Sequence, residues 1–170
     1  LAESSYERAL GKDPGFVPAL NRLALSRYRQ MNYKDALKYI LKSLAIDTYD
    51  GEANYLLGMT CRETGDMATS KSGFSIAMGN LACRSAAATE LAGLFLMEKD
   101  WEKAGHYATK ALDFNQCNID ALQVLALACR KAGKTEKVKN ILAKIRQLDQ
   151  TDHFQRFEAY MLSGDTLDRE

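Results

Sequence analysis

Leucine recurs at Leu23, Leu57, Leu91 and Leu125, a spacing of 34 residues, and each is followed by a small residue: Ala24, Gly58, Ala92 and Ala126. A fixed period of this length restricts the chain to stacked copies of one small unit. No copy can bury its apolar face alone, so its neighbours must do so. Other positions keep the same period. Four residues before each leucine stand Ala19, Ala53, Ala87 and Ala121. Thirteen after it come Ala36, Ser70, Ala104 and Val138, and four beyond those Ile40, Phe74, Ala108 and Leu142. Three further on are Ser43, Ala77, Ala111 and Ile145.

Within a unit the apolar positions fall at three- and four-residue steps, which places them on one helix face. The small residues let two antiparallel helices approach to roughly 8–10 Å between axes, and the bulky ones fill what remains. Asn32, Asp66 and Asp100 stand where the second helix of a unit should begin, with side chains suited to capping its free N–H groups. Thr135 takes that role in the fourth unit, one residue later, and Gly65 and Gly133 fit the turn just before. This pattern resembles the tetratricopeptide repeat (TPR) family, in four copies over nearly the whole chain. The resemblance implies an all-α fold, a right-handed α-solenoid of helical hairpins (an α-α superhelix).

The register divides 1–170, read as a single domain, into repeats at 15–48, 49–82, 83–116 and 117–150. Counting back one period from the first repeat matches Ala2, Tyr6, Ala9 and Pro14, so 1–14 is expected to be the second helix of a truncated repeat. The chain is therefore expected to be a piece of a longer protein. A capping helix is expected at 151–163, rich in Phe154, Phe157 and Tyr160, with a tail at 164–170.

Composition argues against several functions. With 23 basic and 22 acidic residues, no strong overall field draws the chain to nucleic acid. No apolar run approaches the roughly 18 residues of a membrane span. Two histidines, His106 and His153, have no recognisable nucleophile or orienting partner, and no phosphate loop or metal-ligand spacing occurs. No catalytic residue, metal or cofactor is expected. Cys61 pairs in register with Cys129 two repeats away, and Cys83 with Cys117 one repeat away. Both separations exceed the roughly 7 Å that a disulfide tolerates between Cα atoms. Buried or half-buried free thiols are expected, which favours a reducing compartment such as the cytoplasm.

In TPR arrays the first helices of successive hairpins line a concave groove. Carried over position by position, that resemblance selects Asn21, Tyr55, Thr89 and Gln123; then Leu25, Met59 and Leu127; then Tyr28, Arg62, Leu96 and Arg130. Apolar anchors beside an adaptable Met and flanking Arg suit an extended peptide or a partner helix. Gly93 would open space on the groove floor. The clamp of Lys and Asn by which co-chaperone TPRs grip an acidic C-terminal tail is absent, since Leu25, Met59 and Gly93 stand where lysines would be needed. A non-enzymatic interaction scaffold for a protein or peptide is the expected function. Self-association through exposed repeat ends, giving a homo-oligomer, is an alternative.

A closer resemblance concerns residues 46–58, 73–77, 84–91, 111–122 and 153–160, which are similar to one group of large bacterial proteins. In those, a mutarotase-like, carbohydrate-binding β-region precedes C-terminal TPRs. The resemblance implies a second alternative, a structural module packed against a carbohydrate-related part of its own chain. It places no sugar site among these residues.

Overall fold

The structure, a computed structural model, describes residues 2–163; the tail at 164–170 lies outside the described residues. The described chain is all-α and without strands. Its helices are α1 (Ala2–Lys12), α2 (Val17–Arg29), α3 (Tyr33–Ile46), α4 (Gly51–Thr64), α5 (Met67–Ala77), α6 (Arg84–Met97), α7 (Trp101–Phe114), α8 (Ile119–Lys131), α9 (Thr135–Leu148) and α10 (His153–Ser163). Between Ala87 and Ala88, inside α6, the chain divides into two compact units.

The core of both units is the repeat register itself. The small residue after each leucine is buried, whether Ala24, Gly58, Ala92 or Ala126. So are Ala19, Ala53, Ala87 and Ala121, together with every second-helix position from Ala36 to Ile145 named above. Of the signature leucines, Leu23 and Leu91 are fully enclosed, whereas Leu57 and Leu125 are half-buried. Where the register substitutes Ser for Ala, the hydroxyl is satisfied: Ser70 donates to the carbonyl of Gly58 at 2.7 Å. A buried hydroxyl without that bond would cost on the order of 1–3 kcal/mol.

The turns inside the hairpins repeat as closely as the helices. Met31, Gly65, Lys99 and Gly133, one period apart, all adopt positive φ, from 57° to 87°. In each, the next residue's N–H bonds back five residues, as from Asn32 to Arg27 and Asp66 to Cys61, closing a left-handed helix C-cap. The second helices then start from Asn32, Asp66 and Asp100, whose side chains accept from the N–H of Asp35, Thr69 and Lys103. Thr135 does not serve as the fourth cap. It is already the first residue of α9, and Lys134 holds the cap position without a side-chain bond. An ammonium group has no lone pair to offer an N–H donor.

Between hairpins, Asp13, Asp47, Asn115 and Asp149 each accept from the N–H two residues on, forming Asx turns in the same register. All four thiols are free. Cys61 and Cys129 are buried and Cys83 is half-buried, but Cys117 is exposed, because its Asx turn holds it at the surface.

Candidate partner-binding surface

In the first unit, α2 presents Leu25 and Tyr28, and α4 presents Tyr55, Met59 and Arg62, all half-buried. Leu25 and Tyr28 pack on the core around Leu56. Tyr28 also packs on Tyr33, with ring centres 5.7 Å apart, and has Arg62 as a charged neighbour. Burial pushes the Tyr28 hydroxyl above its ordinary pKa and the neighbouring Glu63 adds to this, while Arg62 opposes it. Arg62 lies 3.2 Å from Glu63, so its charge is partly answered within the strip. Tyr55 sets its ring edge-on to the buried Phe74 at 5.5 Å.

Asn21 is no part of this accessible strip. It is buried, donating through Nδ2 to the Asp50 carboxylate at 2.8 Å and accepting from the Ser43 hydroxyl at 2.8 Å. Asp50 in turn accepts from the N–H of Ala53 and caps α4. Asn21 thus ties one hairpin to the start of the next.

The second unit repeats that tie. Asn118 donates to the Thr89 hydroxyl at 2.9 Å, and Gln123 donates to the Asp152 carboxylate at 2.9 Å. Asn118 and Asp152 also cap α8 and α10. All three pairs are 29 residues apart and lie in one register. In the remaining repeat the same two positions hold Tyr55 and Arg84, a different chemistry. The bonded residues Thr89 and Gln123 are half-buried, as are Leu96 on α6 and Leu127 on α8. Gly93 does open space: a Cβ there would meet nothing within 4 Å.

Arg130, at the end of α8, has a partner in its own chain. Its Nε lies 2.7 Å from Oε2 of Glu158 on α10, a fully buried carboxylate. The Nε–H is not directed at that oxygen, so the contact is ionic, and neither Glu158 oxygen accepts a hydrogen bond among the described residues. Phe154 and Leu162 of the same helix pack on the core of α8 and α9.

One feature was hidden by the balanced total charge. Residues 130–146 hold seven basic residues and one acid, Glu136. Counting charge in short windows would have found it. His106 lies exposed on α7, edge-on to Tyr107. Among the described residues no three His, Cys, Asp or Glu side chains converge as metal ligands, and no helix is long and apolar enough to cross a membrane.

Helical hairpins repeated at a 34-residue period, with no strand among the described residues, give the chain the TPR fold, as its likeness to solved TPR structures shows. No protein-family model and no curated protein matches it. Among solved structures, MamA superposes with a TM-score of 0.76 at 21% identity, over 88% of this chain and 87% of that one. YrrB, described as a TPR protein with an unusual peptide-binding site, gives 0.78 at 15% identity over 92% and 81%. The Cut9–Hcn1 assembly of the APC/C gives 0.80 at 17% identity, over 94% of this chain and 32% of that one.

Proposed function

We propose that the chain is a non-enzymatic interaction module that binds a peptide segment or partner helix along its first-helix faces. The observation that carries this reading is the half-buried strip of Leu25, Tyr28, Met59 and Arg62, in which apolar surface adjoins one cation. Such a strip offers anchors to apolar side chains and a charged group that sets orientation. The likeness to YrrB, whose peptide site is its own, supports the same class of role. Taken by itself, the second unit would offer contacts of the same kind through Leu96, Leu127 and the space over Gly93. Thr89, Gln123 and Arg130 would contribute there only by exchanging a bond within the chain for one to the partner.

The test is affinity capture from lysate of the source cell. Wild type is compared with a Met59→Arg, Arg62→Glu variant shown by circular dichroism to keep its helix content and melting. A protein retained by wild type and lost by the variant supports the strip as a binding site. Equal capture by both would shift the assignment to a module that packs against another part of its own full-length chain.

A further inference from the structure

Between α7 and α9, on the second helices of the last two hairpins, runs a cleft of about 850 Å³. It is separate from the first-helix strip. Gly105 of α7 faces Ala128 and Leu125 of α8, where an added Cβ would make ordinary contact at 3.6 and 3.9 Å. Leu125, Ala128 and Cys129 of α8 line the cleft between the two flanking helices. Trp101 stands at the α7 wall with Nζ of Lys131 5.7 Å from its ring centre, and Lys134 and Lys137 form the α9 wall.

Both of these α9-wall lysines are exposed, and they belong to the basic stretch 130–146 that the chain's total charge conceals. An apolar floor under a cationic wall is complementary to an amphipathic acidic segment. A nucleic-acid backbone fits less well, because on the opposite wall Glu102 and Asp113 flank Lys110 and interrupt any continuous cationic track for phosphates. A peptide has no such continuous charge and can turn its acids toward α9 alone.

We infer that this cleft is a second docking site, for an amphipathic acidic peptide that places apolar side chains on Leu125 and Cys129 and carboxylates against Lys134 and Lys137. Trp101, the single tryptophan of the chain, reports its occupancy directly. The experiment titrates the whole chain at low salt with a Glu/Leu peptide of ~14 residues, about four helical turns with leucine on one face. Tryptophan emission is followed throughout. A peptide with Lys replacing Glu, and an oligothymidine, serve as the competing chemistries. The Glu/Leu peptide is expected to shift Trp101 emission saturably, and the other two to leave it unchanged. Lys134→Glu with Lys137→Glu should weaken the Glu/Leu peptide at least about tenfold, since two attractive contacts become repulsive. Met59→Arg, on the first-helix strip, should leave that affinity unchanged and so separates this site from that one. The inference is overturned by no saturable response, by equal affinity of the Lys134/Lys137 variant, or by tighter binding of oligothymidine.

Discussion

Glu158 on α10 is completely enclosed, and the guanidinium that answers its charge, Arg130 of α8, lies 2.7 Å away and stays about a quarter exposed. Removing one partner of a buried pair leaves the other charge uncompensated, which is far costlier than replacing both. Arg130→Met should lower unfolding stability by about 3 kcal/mol, the low end for buried pairs because solvent reaches this arginine. Arg130→Met with Glu158→Met should recover most of that loss. Urea titrations of the three proteins measure this. A single variant as stable as wild type would mean that the pair contributes nothing to docking α10.

Two helical glycines with opposite surroundings should respond in opposite directions. A Cβ on Gly73 would lie 2.7 Å from the carbonyl oxygen of Asn54 and 2.9 Å from the amide of Gly58, both backbone atoms that cannot move aside. Gly73→Ala should destabilise by about 1–3 kcal/mol or more, as overpacking does. Gly93 faces open space, so Gly93→Ala should stabilise by about 0.5–1 kcal/mol through helix propensity alone. Thermal melts of the pair decide it, and a shift in the same direction for both would contradict the close approach of α4 and α5.

The left-handed turns carry a correctable strain. Met31 and Lys99 hold φ of 57° and 63° where two of the four equivalent positions are glycine, and Met31 is 76% exposed, with little packing to lose. Met31→Gly and Lys99→Gly should each stabilise by about 0.5 kcal/mol, the left-handed penalty less glycine's added chain entropy. Gly65→Ala should cost about 1 kcal/mol. Denaturant midpoints that move the other way would show that the strain is already relieved.

Thiol labelling should be ordered by environment. Burial pushes the Cys61 and Cys83 thiols above their usual pKa, with Asp66 adding at Cys61 and Glu52 and Asp50 at Cys83. A raised thiol pKa means less thiolate at any pH below it, and so slower attack. At pH 8 iodoacetamide should therefore modify exposed Cys117 first, Cys83 later, and buried Cys61 and Cys129 only on opening. Peptide mapping by mass spectrometry against time reads the order, and early labelling of Cys61 would contradict its burial.

The 34-residue period determined the core. Leucine, alanine and bulky positions recurring at helical steps name Ala19, Ala36, Ile40 and Leu91 as interior before any coordinate is known, because a helix face is a local property of sequence. Capping by Asn32, Asp66 and Asp100 was legible for the same reason, each acting only three residues ahead. Candidate surface residues are less local. Asn21 sits in the register of a groove, yet its partner is 29 residues on, and only the packing of α2 against the start of α4 brings Asp50 within 2.8 Å. Arg130 reads as a free cation until α10 folds back and seats Glu158 beside it, 28 residues later. The cleft beside Trp101 is lined by residues of α7, α8 and the start of α9, brought together by packing between helices that no periodicity contains. Sequence thus decided which face of each helix is apolar, through contacts within a few residues. Tertiary structure decided which polar groups are satisfied within the chain, as at Asn21, because such bonds close across separate helices.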